Sequence, residues 1–135
     1  MCFNLRKAAR AVTQVYDEIL RPTGLRATQH SLLRVLEMAG TVSVSKLAEL
    51  AVMDRTTLAR NLDLLARERL VRVQSGSDAR VREVTLSDSA HQRLAAALPY
   101  WERAQAQVTN KLGAGRSDQL LSDLSATVSA AQSES

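Results

Sequence analysis

The sequence has few of the residues that build disulfide-bonded, metal-binding or membrane-spanning proteins. Its 135 residues contain one cysteine, Cys2, which excludes an internal disulfide bond. The two histidines, His30 and His91, lie far apart, so no metal-binding cluster is predicted. No apolar run approaches the roughly 20 residues that span a membrane, and no basic-then-apolar leader opens the chain. We therefore expect a cytoplasmic protein without a membrane partner, a metal or a cofactor.

Lysine is scarce as well, so the positive charge of the chain comes from arginine. Only Lys7, Lys46 and Lys111 are lysines among the 18 basic residues, and the formal net charge is +4. An arginine excess favours a polyanionic partner modestly, because an arginine-rich genome would produce much of the same skew. Hydrophobic residues make up 45% of the chain, which excludes gross disorder and allows a buried core.

The chain is organised around the stretch from Val42 to Leu86, and one helix inside it carries the main functional prediction. Asp54 can accept hydrogen bonds from first-turn N–H groups, so a helix is predicted from about Arg55. Its apolar face consists of Leu58, Leu62 and Leu65. The opposite face carries Thr56, Arg60, Asp63 and Arg67, flanked by Thr57 and Asn61. Such a face can read base edges in a DNA major groove, although an ordinary solvated helix face has the same pattern.

The segments on both sides of this helix are predicted to form a short helix, a turn and two strands. Ser43 can cap a short helix from Val44 to Ala51, and a tight turn at 52–53 follows. After the second helix, "VRVQ" and "REVTL" alternate as half-buried strands do. The inward-facing residues of these strands are Val71, Val73, Val84 and Leu86. The order strand, helix, turn, helix and two strands predicts a winged helix-turn-helix.

The polar loop "SGSDAR" between the two strands is the predicted wing. Gly76 is expected to supply a positive backbone angle, while Ser75, Ser77 and Asp78 supply local turn bonds. Arg80 and Arg82 place two guanidinium groups near the tip, with Asp78 expected to hold Arg80 through a forked ion pair. An arginine in this position suits a narrow, electronegative minor groove.

Helices are also predicted on both sides of this lobe. Their expected bounds are 2–20, 28–40, 88–112 and about 117–131, followed by a polar tail at 132–135. Ser87 caps the third of these helices, Pro99 bends it, and Gly113 and Gly115 stop it. The predicted fold class is therefore mainly α (α+β), a winged helix-turn-helix with N- and C-terminal dimerisation helices.

The first and last helices carry apolar stripes, and the predicted fold offers few neighbouring apolar surfaces to cover them. The stripes are Leu5, Ala8, Ala9, Val12, Val15, Tyr16 and Ile19 in the first helix, and Leu120, Leu121, Leu124 and Val128 in the last. A lone amphipathic helix is marginal in water, so we expect the stripes to meet their copies in a homodimer; the alternative is an intramolecular cap on a monomer. The chain then divides into a dimerisation helix and linker (1–27), a DNA-binding lobe (28–87) and C-terminal dimerisation helices with a tail (88–135).

These residues resemble the multiple-antibiotic-resistance regulator (MarR) family of bacterial transcription factors. The resemblance rests on "VSVSKLAELAVMDRTTLARNL", on Asp78-Ala79-Arg80 followed by "VREVTLS", and on the surrounding helices. It implies a homodimer on a pseudo-palindromic double-stranded DNA operator, with the second helix in the major groove and the wing arginine in the minor groove. The residues it assigns to DNA are Arg55, Thr56, Thr57, Arg60 and Asn61 on the helix, and Asp78 and Arg80 on the wing.

Three positions depart from the family pattern. Arg69 and Ala90 stand where glycines are usual, and Asp63 places an anion on the reading face. A non-glycine residue at a left-handed helix end costs roughly 1 kcal/mol. Asp63 can weaken phosphate contacts or accept a hydrogen bond from a cytosine amino group.

The resemblance also implies an effector site between the dimer helices and the reading lobe. Tyr16, Tyr100 and Trp101 are candidates to line it, and ordinary core packing is the alternative. The opening "CFNLRKAARAVTQVYDEIL" is similar to the organic-hydroperoxide-sensing branch, in which a Cys-Phe-x-Leu segment carries a reactive thiol bonded by a later tyrosine. Cys2 and Tyr16 match that pattern, whereas Arg6 replaces a further tyrosine. A helix start beside basic side chains favours reaction as the thiolate, but an incidental cysteine would have the same sequence.

The predicted function is a bacterial sequence-specific transcriptional regulator, a repressor, whose operator binding is modulated by a small molecule or by oxidation. The alternatives are a peroxide-sensing one-cysteine regulator using Cys2 and a winged-helix protein-interaction module. An enzyme such as a thiol peroxidase is not favoured, because no histidine or acidic partner lies at a catalytic spacing and no catalytic residue is assigned.

Overall fold

The computed structural model describes residues 1–133, so Glu134 and Ser135 of the predicted polar tail lie outside the described residues. Within that range the elements are α1 (Cys2–Leu20), a 3-10 turn (Arg21–Thr23), α2 (Ala27–Ala39), β1 (Val42–Ser43), α3 (Val44–Ala51), α4 (Arg55–Arg67), β2 (Val71–Ser75), β3 (Arg82–Leu86), α5 (Asp88–Leu112) and α6 (Ala114–Gln132). This order confirms the predicted mainly α winged helix-turn-helix.

Local side-chain caps explain where three of the helices begin. The capping oxygens are Ser43 Oγ, Asp54 Oδ2 and Ser87 Oγ, which accept from backbone N–H groups three residues later at 3.0, 3.0 and 3.1 Å. These bonds confirm the predicted starts of α3, α4 and α5. Helix α2 begins at Ala27, one residue before the prediction, and its first N–H donates to Asp17 Oδ1 on α1 at 2.7 Å.

Both helices of the helix-turn-helix end with a residue in the left-handed region. After α3, Val52 has φ 50° and the Met53 N–H donates to the Ala48 carbonyl at 3.0 Å. After α4, Arg69 has φ 61° and the Leu70 N–H donates to the Leu65 carbonyl at 2.9 Å. This six-residue closure satisfies carbonyls at a helix end and usually has glycine at the left-handed position. Valine and arginine therefore hold a strained backbone here.

The boundary between α5 and α6 differs from the prediction. Gly113 ends α5 with φ 89°, and α6 begins at Ala114, so Gly115 lies inside α6. The prediction that Gly115 helps to stop α5, and that the last helix begins near Ser117, is wrong. Gly113 alone interrupts the helical geometry, with φ 89° and ψ 146°, and the second glycine lies in the next helix. Pro99 lies inside α5 as predicted.

The sheet joins the wing to the start of the reading lobe. Its strand order is β1-β3-β2, and both pairs are antiparallel, with Val42 opposite Val84 and Val71 opposite Leu86. Val84 on the central strand is 0% exposed. The hydrophobic core lies between this sheet and the helices, and its fully buried members include Leu33, Leu36, Leu47, Leu58 and Leu65. The inner faces of α3 and α4 are thus fixed by the core.

None of the helices within residues 1–133 is long and apolar enough to cross a membrane. Across the same residues, no group of three or more His, Cys, Asp or Glu side chains could hold a metal ion.

Candidate nucleic-acid interface

Helix α4 has one buried face and one polar, exposed face. Leu58 and Leu65 are 0% exposed, and Leu62 is 4% exposed. The predicted reading residues Thr56, Arg60 and Arg67 are exposed. Within residues 1–133, these three side chains form no hydrogen bond and no ion pair, so their polar groups are available to a ligand.

The other three predicted residues of α4 are already bonded within the chain. Arg55 Nη2 donates to Ser45 Oγ on α3 at 2.9 Å. Thr57 Oγ1 donates to Asp54 Oδ1 at 2.6 Å, and the half-buried Asn61 donates from Nδ2 to the Thr57 carbonyl at 2.9 Å. These bonds stiffen the first turns of α4 and attach them to α3. They leave fewer free donors on this face than the sequence predicts.

The start of α4 also carries a stable negative charge. Hydrogen bonds from the Thr57 hydroxyl, and then from the Thr57 backbone N–H, hold the pKa of Asp54 below its usual value. A carboxylate at this end interacts favourably with the positive end of the helix dipole. Asp54 therefore serves α4 as a cap, and the exposed polar face begins after it.

The wing loop is shaped by backbone bonds rather than by a left-handed glycine. The Gly76 N–H donates to the Val81 carbonyl at 2.8 Å. The glycines with positive φ within residues 1–133 are Gly24, Gly40 and Gly113, so the predicted positive angle at Gly76 is wrong. A Cβ at position 76 would lie 2.5 Å from Glu83 Oε1, so the absence of a side chain leaves room for Glu83 instead.

The predicted forked ion pair between Asp78 and Arg80 does not form. Asp78 Oδ1 accepts from the Arg80 backbone N–H at 3.0 Å, a local turn bond. The same oxygen lies 3.7 Å from Arg80 Nε, a single contact, and the Arg80 side chain is 92% exposed. Asp78 thus contacts the guanidinium through Oδ1 alone, the same oxygen that accepts the turn bond. Arg80 is therefore free to extend from the tip of the wing.

A cleft of about 620 Å³ lies between α4, the wing and the start of α3. Ala59 and Ala66 of α4 line it, and their small side chains keep it open. Its charged lining consists of Arg55, Arg80, Arg82 and Asp63. The structure thus brings three predicted arginines from α4 and the wing to one concave surface. Arg67, further along α4, is not part of this lining.

A second cluster joins α1, α2 and α5. The rings of Tyr16 and Trp101 lie 4.7 Å apart, and the Trp101 ring stacks on His30 at 4.4 Å. The third predicted effector-site residue, Tyr100, instead faces Arg103, whose guanidinium lies 5.5 Å from its ring centre. His30 was not predicted to belong to this cluster, although it is on the same face of α2 as the buried Leu33 three residues later.

His30 is enclosed without a hydrogen bond at one ring nitrogen. It is 1% exposed, and its buried Nδ1 has no partner among the described residues. Burial, assisted by the charge of Arg34 and opposed by Glu37, lowers the pKa of His30 below its usual value. The imidazole is therefore neutral at neutral pH.

The structure separates the two predicted redox residues. Cys2 is a free, exposed cysteine at the start of α1. Tyr16 lies 14 residues later on the same helix, about 21 Å away along the axis at 1.5 Å per residue. Its hydroxyl donates to Gln105 Oε1 at 3.1 Å, and burial raises the pKa of Tyr16. Within one chain this separation is too large for a hydrogen bond between the Tyr16 hydroxyl and the Cys2 thiol, and the redox role of the two residues stays a prediction.

The terminal helices expose much of their apolar stripes. Phe3 is 69% exposed on α1 and Leu121 is 60% exposed on α6. Leu5, Val12, Leu120, Leu124 and Val128 are exposed as well. An apolar groove of about 260 Å³ runs between α1 and α5, with Val12, Val15, Val108 and Leu112 in its lining. This surface is distinct from the cleft beside α4.

The chain is similar to a family of transcriptional regulators and to solved structures of such proteins. The family model described as the MarR family matches residues 23–81. The transcriptional regulator MosR of M. tuberculosis, solved in complex with DNA, is 37% identical, with a TM-score of 0.84 over 98% of each chain. CouR, a transcriptional repressor bound to a 23-mer DNA duplex, is 25% identical, with a TM-score of 0.85 over 95% of this chain and 92% of that one. An E. coli MarR mutant complexed with operator DNA shares the fold at 19% identity, with a TM-score of 0.83 over 91% of this chain and 89% of the other. No curated protein matches the sequence.

Proposed function

The chain belongs to the MarR family of transcriptional regulators, and from that membership we propose that it is a sequence-specific DNA-binding repressor that acts as a homodimer. One observation carries this proposal: an exposed polar face of α4, with free Thr56 and Arg60, adjoins a cleft lined by three arginines. The basic cleft suits the phosphate backbone, and the face of α4 suits base edges in a major groove. The DNA complexes of MosR and CouR support this assignment.

We assign different roles to the two reading elements. Arg80, at the exposed tip of the wing, contributes electrostatic attraction to phosphates and to a narrow minor groove. Arg60, on the face of α4, contacts a base edge. Arg55, Thr57 and Asn61 act mainly by holding α4 in place, since their side chains are bonded within the chain.

The homodimer is proposed from the exposed apolar stripes of α1 and α6. So many exposed apolar side chains on two helices favour burial against a partner, and a second copy of the chain would supply two α4 helices for two half-sites. The proposed division is a helix and linker at 1–27, a reading lobe at 28–87 and dimer helices with a tail at 88–135. Sedimentation at micromolar concentration tests it; a folded monomer would contradict the dimer.

Modulation of operator binding is proposed at one of two places. The cluster of Tyr16, Trp101 and His30 lies where α1 and α5 meet α2, so a small molecule bound beside it would move the reading lobe against the dimer helices. The exposed Cys2 is the alternative, because an accessible thiol can be oxidised by a peroxide. Peroxide titration of wild type and Cys2→Ser separates them: equal release of DNA by both proteins excludes the thiol.

The experiment that tests the central proposal is selection of bound fragments from the source genome, followed by binding assays on the selected operator. We expect inverted repeats whose half-site centres lie about 34 Å apart. Arg80→Ala should weaken binding to most sequences alike and reduce the salt dependence by about one counterion. Arg60→Ala should change sequence preference at one position, whereas Arg103→Ala, an exposed arginine of α5, should do neither.

Two outcomes would contradict this function. If neither Arg60→Ala nor Arg80→Ala changes binding, the surface formed by α4 and the wing does not contact DNA. A salt-independent interaction with a protein, together with no retardation of DNA, would instead indicate a winged-helix protein-interaction module.

A further inference from the structure

Asp63 is an acidic residue in an otherwise basic part of the reading surface. It is exposed on α4 and lines the cleft together with Arg55, Arg80 and Arg82. Within residues 1–133, its carboxylate forms no ion pair. None of the side-chain hydrogen bonds of α4 uses it either. The arginines in the cleft therefore leave its acceptor oxygens free.

A free carboxylate in this position has a physical consequence for DNA binding. When a polyanion closes over α4, the carboxylate loses water and faces phosphates of the same charge, which is unfavourable unless a donor replaces the water. DNA offers few donors in the major groove. They are the N4 amino group of cytosine and the N6 amino group of adenine. An acidic side chain on this face is therefore matched to a base edge and not to the backbone.

The neighbourhood of Asp63 favours cytosine over adenine. Adenine presents the N7 acceptor beside its amino group, which suits an amide side chain, whereas cytosine presents the amino group alone and suits a carboxylate. Arg60 lies three residues earlier on the same polar face, so the two side chains begin about 5–6 Å apart. Arginine pairs with O6 and N7 of guanine, the base that accompanies cytosine in a pair. The two residues together fit the two edges of a G·C-containing step.

We propose that Asp63 is a specificity-determining residue, which accepts a hydrogen bond from the N4 amino group of one cytosine in each operator half-site, beside the guanine contacted by Arg60. The inference rests on the proposed function and assigns the base class read by one side chain. In this role the carboxylate selects one base, and the arginines of the same cleft offset its repulsion of the phosphates.

The test removes the amino group from the DNA and the carboxylate from the protein in turn. In the selected operator, each cytosine of a half-site is replaced singly by 2-pyrimidinone, which lacks only the 4-amino group, and each adenine by purine, which lacks only the 6-amino group. Wild type should lose about 5- to 150-fold in affinity at one cytosine position. Asp63→Ala should lose that sensitivity there and keep the sensitivities at the other positions. Asp63→Asn should shift the preference at that position towards adenine.

Controls keep the outcomes distinct. Glu102→Ala removes an exposed carboxylate of α5, outside the reading lobe, and should leave the whole panel unchanged. Thermal unfolding of each variant establishes that the fold is intact. The proposal is overturned if Asp63→Ala tightens binding to all sequences alike with a steeper salt dependence, since Asp63 then only repels phosphate. It is also overturned if the lost sensitivity maps to an adenine. If wild type binds no operator at all, the proposed function itself fails.

Discussion

Replacing Arg69 with glycine should make the protein more stable, although it removes a large side chain. Arg69 has φ 61° at the end of α4, and a left-handed backbone costs a non-glycine residue roughly 1–2 kcal/mol. Glycine relieves that strain but adds about 0.5–1 kcal/mol of unfolded-state entropy. The net gain in unfolding free energy should be about 0.5–1 kcal/mol. The bonds that close the helix survive, because they use only backbone atoms. The bond from Ser87 Oγ to the Arg69 carbonyl at 2.7 Å survives as well, because position 69 contributes only its carbonyl oxygen.

Replacement of an arginine inside α4 by glycine should change the unfolding free energy in the opposite direction. Arg60→Gly introduces glycine into a right-handed helix interior, where it costs roughly 0.8–1 kcal/mol. Urea unfolding measures both changes, at one fixed protein concentration because the proposed homodimer would make the unfolding free energy depend on concentration. Val52→Gly repeats the test at φ 50° after α3 and should also stabilise. If Arg69→Gly destabilises as much as Arg60→Gly does, the strain argument fails and the arginine side chain must contribute more than its exposure implies.

Two further predictions concern His30 and the paired glycines. Folding lowers the pKa of His30 below its usual value of 6.5, so at acidic pH the unfolded chain binds more protons than the folded one. The contribution of neutral His30 to stability is therefore complete above pH 6.5 and is lost as the pH falls through the pKa of the folded state. His30→Phe should therefore reduce the loss of unfolding free energy as the pH falls below 6.5, and an identical loss in both proteins would contradict the burial argument. Gly115→Ala, inside α6 with open space around the added methyl, should stabilise by about 0.4–1 kcal/mol, whereas Gly113→Ala at φ 89° should destabilise. Thermal melts of the two variants measure the difference, and equal signs would refute the assignment of their conformations.

The sequence is informative where structure depends on near neighbours. Asp54 and Ser43 are caps whose partners lie three residues away, so α3 and α4 could be placed from the chain alone. Gly76 shows where sequence reasoning fails. The sequence does not distinguish a glycine that is needed for space from one that is needed for a positive φ. The space it leaves is occupied by Glu83 of the facing strand, a contact visible only after the hairpin forms.

The candidate site was predictable in type but less so in detail. The helical periodicity of the sequence predicts the polar face of α4, and the residues of that face are exposed in the structure. Which donors remain free depends on contacts between elements, as with the Arg55 bond to Ser45 across ten residues. His30 is a mixed case. Its spacing from Leu33 places it on the buried face of α2, but its stacking on Trp101 is a contact between distant parts of the chain, which periodicity does not predict.

Trp101 gives the chain a built-in optical reporter. It is the one tryptophan in the sequence, so excitation of indole samples a single location. Its ring contacts His30 on α2 and Tyr16 on α1, at the junction between the reading lobe and the terminal helices. Separation of the Trp101 and His30 rings, now 4.4 Å apart, would change the surroundings of the indole. Emission intensity and wavelength therefore record, without any label, whether α2 and α5 stay in contact while the protein binds its partners.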